Sequence, residues 1–323
     1  MKYTNDVLCP ICSQPDSSFF LSGRDYLSSY TRRFTLVKCA GCGLIRLDPQ
    51  QEPEDGQALY QPDYYREMKG ISKILETLFL NERKRIVEKF KKPPGALLDL
   101  GCGTGGFLKV MARGGWKAQG IEKSDKIKKY STEENKIYCA DLLDMKFDGG
   151  SFDVITLWQV LEHLSDPKKY LAEINRLLKE DGILVVSVPN IGSMQAKFGA
   201  NKWFHLDVPR HIWHFTPETV SELLRRAGFR VKEIKHFSLE YNSFGWWQSI
   251  FNLLGCEINF IYKYLKRGAV QKEYATAKRI YTILCAVLLS LLFLLFAFIL
   301  SFIESALLRG GVITVVAEKG GDI

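Results

Sequence analysis

Four cysteines stand as two C-x2-C pairs, Cys9 and Cys12 in "CPIC", Cys39 and Cys42 in "CAGC", with 26 residues between the pairs. Each pair closes a tight turn that offers two thiolates, and four thiolates fill the tetrahedral shell of one Zn2+ without leaving a position for substrate. The spacing therefore predicts a structural zinc ribbon, with "RRFTLVKC" as the strand entering the second turn and Gly43 just after it. Cys102, Cys139, Cys256 and Cys285 are scattered and read as small core or membrane-facing side chains.

A second stretch with chemical content is "ALLDLGCGTGGFLKVMARGG", an apolar strand, a glycine turn and a helix. Gly101, Gly103 and Gly106 satisfy G-x-G-x-x-G, a dinucleotide spacing that is ambiguous when it stands alone. Asp99 decides between ligands. At the end of the strand its carboxylate repels a pyrophosphate, yet suits a ligand carrying an ammonium and a sulfonium, as S-adenosylmethionine does. The glycines let the backbone approach such a ligand with no Cβ in the way. About twenty residues on, "KAQGIEKS" is a second strand ending in Glu122, where a carboxylate can accept hydrogen bonds from both ribose hydroxyls. "KIYCADL" is a third strand ending at Asp141, placed for an adenine amino group. "FDVITLWQVLEHLSDP" is a fourth, with Trp158 and Gln159 at its carboxyl end, where ligands of open parallel sheets sit.

An oxygen or nitrogen nucleophile that takes a methyl group must also lose a proton. His163 in "LEHL" is the first candidate base, because imidazole titrates near neutrality; a hydrogen bond to a neighbouring loop is the structural alternative. Glu162 reads as a helix-start or scaffold charge. The segment "NKWFHLDVPRHIWHFTPET" crowds aromatic rings, histidines, an acid and a cation into residues 201–219. Trp203, His205, Asp207, Arg210 and His211 are its candidate acceptor contacts: the rings wall a pocket, and Arg210 can fork onto a carboxylate or phosphate. The alternative is a buried loop pinned by Trp203 and Trp213. His205, His211 and His214 lack a metal spacing as telling as that of the cysteines.

These residues need a scaffold, and the pattern supplies one. "DGILVVSVPN" is a fifth strand, "PETVSELLRRAGF" a helix, and "FRVKEIKHF" a sixth strand. Upstream, "DPQQEPEDGQ" is turn-rich, "ISKILETLFLNERKRIVEKF" has helical spacing, and Pro93-Pro94-Gly95 stops that helix. Together "DLGCGTG", "GIEKS", "CADL", the 152–167 segment and "FTPETVSELLRRAGF" resemble the class I S-adenosylmethionine-dependent methyltransferases, and "VLEHLSDP" is similar to the ubiquinone-biosynthesis O-methyltransferase type. The resemblance runs over about residues 97–237 plus the tail. It implies an α/β, Rossmann-like sheet of seven strands, the last antiparallel beside the sixth, for which "GVITVVAEK" is the fit. It further implies that Asp99, Gly101, Gly103 and Gly105 hold the methionine part, Glu122 the ribose, and Asp141 with Leu142 the adenine. The domain order is then 1–48 zinc ribbon, 49–92 helical linker, 93–238 methyltransferase core, 239–311 hydrophobic helical insertion and 312–323 last strand.

The insertion departs from the family pattern. Ile280 to Ile303 is an uncharged run of 24 residues, long enough for roughly 30 Å of hydrocarbon. It lies between two strands that are neighbours in one sheet, so a single crossing is ruled out. Two crossings need "SFGWWQSIFNLLGCEINFIYKYL" as partner span and put the basic segment 263–279 on the far side, against the positive-inside tendency. The reading is monotopic or re-entrant at the cytoplasmic face, with Trp246 and Trp247 near the headgroups and the basic segment on anionic phosphates. A helix buried in a homodimer interface is the alternative. The chain carries 44 basic against 36 acidic residues, net +8, which suits a phospholipid surface or RNA. The apolar run favours the first, so nucleic acid is disfavoured. The expected acceptor is hydrophobic or lipid-linked, such as a polyprenyl-attached ring or a lipid-borne sugar. No apolar core of an export signal follows the first methionine, and the catalytic part reads as cytoplasmic.

Overall fold

The computed structural model describes residues 2–4, 8–26, 33–49, 71–132, 135–267 and 276–320. The turn-rich part of the expected linker, 50–70, and residues 268–275 of the basic segment lie outside them. In chain order the strands are β1 (Lys2–Thr4), β2 (Asp16–Arg24), β3 (Arg33–Cys39), β4 (Ile45–Asp48), β5 (Ala96–Leu100) and β6 (Lys117–Glu122). They continue as β7 (Lys136–Cys139), β8 (Phe152–Trp158), β9 (Leu178–Pro189), β10 (Trp213–His214), β11 (Phe229–Lys235) and β12 (Val312–Lys319). The α-helices are α1 (Ile71–Phe90), α2 (Gly106–Arg113), α3 (Pro167–Leu177), α4 (Met194–Gly199), α5 (Pro217–Arg226), α6 (Tyr241–Leu253), α7 (Phe260–Arg267) and α8 (Thr276–Ala306). The chain divides into two compact units, neither of them continuous: one of Met1–Tyr64, Pro189–Thr219 and Lys235–Ile313, the other of Tyr65–Val188, Val220–Ile234 and Thr314–Ile323.

A seven-stranded sheet has the order β11-β12-β9-β8-β5-β6-β7. Strands β5, β6, β7, β8 and β9 pair in parallel, which places the carboxyl ends of β5, β6 and β8 along one edge. β12 runs the other way. The amide of Asn190, just past the end of β9, donates to the carbonyl of Gly311, just before β12, and the amide of Gly320, just past β12, donates to Gly228, just before β11. The inner strands β5, β8 and β12 carry apolar runs because both their faces are covered, whereas the edge strands β11 and β7 are half-exposed. Leu97, Val154, Ile183, Val185 and Val316 pack with Phe107, Leu108 and Met111 of α2 in one core. The helix expected in the linker, α1, adds Ile86 and Val87 to that same core. α3 starts where Asp166 accepts from the Lys169 amide (3.2 Å) and Pro167 takes a first-turn position that needs no donor.

The other unit is built on an antiparallel sheet of order β1-β2-β3-β4-β10. Its last member comes from the histidine-rich segment: Trp213 stands opposite Arg46 and His214 opposite Ile45, with the Leu47 amide on the Ile212 carbonyl (2.9 Å). Leu36, Ile45 and Leu47 of this sheet share a core with Ile191, Ala196, Trp203, Leu206 and Val208. This pairing has no signal in the sequence, since a two-residue strand carries no periodicity.

α8 is 31 residues long, about 46 Å at 1.5 Å per residue. It packs on α6, with Phe251 edge-on to Phe293 at 5.5 Å. Its buried positions, Thr282, Cys285, Ala297, Ser301 and Glu304, recur at helical spacing and include three of its polar side chains, Thr282, Ser301 and Glu304. Outside that stripe the exposed side chains between Ile280 and Ile303 are apolar or aromatic, Leu288 and Leu291 each 73 % exposed. The stretch considered as a partner span is no span. It breaks between α6 and α7 at Gly255 and Asn259, both at positive φ, and among the described residues α8 is the one helix long and apolar enough to cross a membrane. Trp246 does not sit at the surface as expected: it is 4 % exposed and packs on Phe198.

Candidate functional site

At the carboxyl end of β5 the glycine turn is anchored on β6, the amides of Gly101 and Cys102 both donating to the Ile121 carbonyl. Gly101 and Gly103 have φ of +68° and +52°, which only glycine adopts freely. A Cβ at Gly101 would strike Val160, so that glycine is required by packing as well. A Cβ at Gly103 would meet nothing within 4 Å: its face of the turn is open. Gly105 is the left-handed residue from which α2 departs.

Asp99 is buried beneath this turn and accepts from Thr156 Oγ1 at 2.6 Å. Burial pushes its carboxyl up to about 7, against the Thr156 hydrogen bond and the nearby Arg83 guanidinium. A carboxyl held there is ready to bind a cation, whose arrival favours the charged form. Glu122 ends β6 with one oxygen on the Gly103 amide (3.2 Å) and the other on the Ser124 amide (3.3 Å), so the carboxylate is aimed at the turn. Asp141 follows β7, accepts from the Leu143 amide (3.0 Å) and Tyr170 Oη (2.5 Å), and pairs with Lys123 (2.6 Å). Burial alone raises its carboxyl, but Lys123 and Tyr170 outweigh that and hold it below the usual range. Leu142 is buried in the same turn.

Trp158 and Gln159 close β8. Gln159 sits at φ 58°, a strained position for a side chain of its size, held by its amide on the Ser187 carbonyl (2.9 Å) and its Nε2 on Ser187 Oγ (3.2 Å). Trp158 meets Phe107 edge-to-face at 5.7 Å and has the Arg83 guanidinium 5.2 Å from its ring centroid, and its buried Nε1 has no acceptor among the described residues. An open glycine face, a buried carboxyl poised near neutrality, a carboxylate at the next strand end and an orphaned indole donor fit a small cationic ligand with polar edges. His163 follows in a single helical turn with its amide on the Val160 carbonyl (3.0 Å), half-buried.

In the other unit Cys9, Cys12, Cys39 and Cys42 come together, with every Sγ within 4.8 Å of the others. Cys9 and Cys42 are 3.4 Å apart, Cys12 and Cys39 3.5 Å. A tetrahedral ion with bonds of about 2.3 Å separates its sulfurs by about 3.8 Å, so one ion fits with little adjustment. The two turns are near copies: the Ser13 amide donates to Cys9 and the Gly43 amide to Cys39, and both Ser13 and Gly43 have positive φ.

The 201–219 segment is drawn onto this ribbon. Arg210 is buried, its Nη2 2.7 Å and Nη1 3.2 Å from the two carboxylate oxygens of Asp25, with Nε and Nη2 on Asp207 as well. The fork expected to hold an acceptor is thus engaged by the protein itself, on an acid at the end of β2. Trp203 is buried with Nε1 on Gln195 (3.2 Å). His205 Nε2 donates to the Tyr241 carbonyl (3.1 Å), and His211 Nδ1 to the His205 carbonyl (2.9 Å). Burial pulls both His205 and His214 down to about 4, so they are neutral at pH 7. Of the five candidate acceptor contacts, Trp203 and Asp207 also line a shallow cleft with Arg24, Tyr26, Lys202 and Asn259.

Thr156, Arg83 and Asp25 escaped the sequence reading. Thr156 had a signal, since it alternates on the same strand as Trp158; Arg83 and Asp25 had none, because their partners are far along the chain.

The methyltransferase-domain family profile matches residues 71–234, about half of the chain. A ubiquinone biosynthesis O-methyltransferase of Pelagibacter ubique is 27 % identical over 184 residues, 53 % of this chain and 74 % of its own length. An uncharacterized protein of Methanocaldococcus jannaschii is 32 % identical over 157 residues, 48 % of this chain and 65 % of its own. Among solved structures, a phosphoethanolamine N-methyltransferase of Haemonchus contortus in complex with S-adenosylmethionine aligns with a TM-score of 0.50 at 14 % identity, covering 95 % of this chain and 69 % of that one, a likeness of fold alone.

Proposed function

The chain belongs to the methyltransferase-domain family and is an S-adenosylmethionine-dependent methyltransferase; from this premise we propose that its acceptor is hydrophobic or lipid-linked and is methylated at the cytoplasmic face of a membrane. One observation carries the proposal: α8 turns Thr282, Ser301 and Glu304 inward onto the protein, while its exposed side chains between Ile280 and Ile303 are apolar or aromatic. Water-facing helices show the reverse arrangement. Hydrocarbon accepts such a helix without cost to its backbone, since all its hydrogen bonds are internal. Both ends of the insertion return to adjacent strands, β11 and β12, which supports a monotopic arrangement. Lys278 and Arg279 in the first turn and Arg309 after the last bring cations to the level of anionic headgroups.

When bound, S-adenosylmethionine supplies an activated methyl on a sulfonium. Asp99 and the open Gly103 turn would hold its cationic amino-acid part, Glu122 the ribose hydroxyls, and Asp141 with Leu142 the adenine. Trp158 and Gln159 would exclude water at the carboxyl end of β8. His163 would take the proton from the acceptor's attacking atom. The four cysteines would hold one structural Zn2+, leaving no open position for chemistry.

The test is to incubate membranes containing the full chain with S-adenosylmethionine labelled in the methyl group and extract lipid and RNA separately. Label is expected in the lipid extract. Label confined to RNA, or a chain that leaves the membrane in high salt without detergent, would overturn the proposal.

A further inference from the structure

Among its described residues the ribbon unit buries two arginines, Arg46 and Arg210, and it treats them differently. Arg210 is saturated by Asp25 and Asp207. Arg46, in β4, is 2 % exposed and makes one hydrogen bond, from Nη2 to Ser17 Oγ at 3.1 Å. Its Nε and Nη1 have no partner, and among the described residues no carboxylate pairs with it. Removing a guanidinium from water without a counter-charge costs several kcal/mol. The same unit pairs its other buried arginine completely, so this cost does not come from a shortage of acids.

We infer that Arg46 is the anchor of an oxyanion site, for a carboxylate or phosphate, within this unit. The site goes beyond the proposed acceptor reaction and does not rest on it. A guanidinium has five N–H donors in two fork-shaped edges, one shared by Nε and Nη2, the other by Nη1 and Nη2. Ser17 occupies one Nη2 hydrogen, so at least one complete edge is free to grip two oxygens. Arg46 stands directly opposite Trp213, the residue through which the 201–219 segment joins the sheet, with Val37 opposite on the other side. Side chains of directly opposed residues share a face. The cation is therefore flanked by a buried indole and a valine, a dry setting in which a paired anion is held strongly.

The experiment follows thermal unfolding of the detergent-solubilised full chain with inorganic phosphate, with benzoate, or with phosphatidic acid in mixed micelles, each against chloride at equal ionic strength. At least one oxyanion is expected to raise the midpoint by about 3 °C. In Arg46→Met the rise is lost, while the midpoint without anion does not fall, since a buried unpaired charge has been removed. Arg46→Lys, which keeps the charge but not the fork, loses at least half of the rise and serves where the methionine variant does not fold. A response to phosphatidic acid alone assigns the oxyanion to a lipid; a response to phosphate or benzoate assigns it to the headgroup chemistry itself, and either supports the anchor. No Arg46-dependent rise with any probe, or an undiminished rise in Arg46→Lys, overturns it.

Discussion

The proposed cofactor cradle and the four-cysteine cluster are built by opposite strategies. Every cradle residue sits at or just after the carboxyl end of β5, β6, β7 or β8, so a short motif contains both the chemical group and the strand that aims it. The ribbon unit is assembled from three separate stretches of chain. Its sheet is completed by β10, about 165 residues beyond β4, and its buried cation Arg210 is neutralised by Asp25, 185 residues away. A local site tolerates change elsewhere in the chain; a site closed by distant pairs fails when either partner is lost. The cradle is therefore expected to lose ligand affinity on mutation and keep its fold, whereas the ribbon unit loses its fold first.

The largest effect is expected from the cysteines. Cys39→Ser removes one of four thiolates, and because metal binding supplies folding free energy outright, bound zinc and turnover should both fall by more than 100-fold. S-adenosylmethionine affinity should stay within about twofold. Metal analysis beside a calorimetric titration checks this, and equal loss of cofactor binding would erase the contrast between the two regions. His163→Ala comes next: turnover should fall by about 100-fold or more with cofactor affinity intact, the signature of a lost general base. Full turnover in this variant would return His163 to a scaffold role.

Arg210→Met leaves Asp25 and Asp207 without their cation and is expected to destabilise the chain by about 3–5 kcal/mol, read from denaturant unfolding. A loss below about 1 kcal/mol would mean that the ribbon and its loop are held by apolar packing instead.

The smallest effect is a pH dependence in the cradle. The folded Asp99 carboxyl lies at about 7, above its ordinary 3.8, so the native state holds this proton more tightly than the unfolded one. Its contribution to stability therefore declines as pH rises from about 4 through 7. Binding of a cation runs the other way, because it needs the charged form. S-adenosylmethionine affinity should tighten about tenfold between pH 6 and 8. In Asp99→Asn that slope should vanish, and a slope that persists would assign the titration to another group.

How much of this was legible follows from how local each feature is. The places of Asp99, Gly103, Glu122 and Asp141 at strand ends and in the glycine turn could be read because they lie within a few residues of the apolar runs that position them, and their roles toward a cofactor belong to the proposal. The paired C-x2-C turns were legible for the same reason, while the left-handed backbone at Gly43 and at the equivalent Ser13 was seen only in the fold. The length and polarity of α8 were plain as well. Which of its residues face inward was not, for an apolar run has no contrast from which to read a packed stripe. Trp246 and Arg210 were given surface or ligand roles because their types suit them. Both are buried, one against Phe198, the other between two acids, and only the folded chain brings those partners to them. Sequence by itself determined the parallel sheet, the cofactor class and the four-thiolate cluster, all encoded in short-range spacing. Tertiary structure alone decided that the 201–219 segment completes the ribbon sheet and that Arg46 is left without a counter-charge, because hydrogen-bond satisfaction and burial depend on partners that spacing along the chain does not specify.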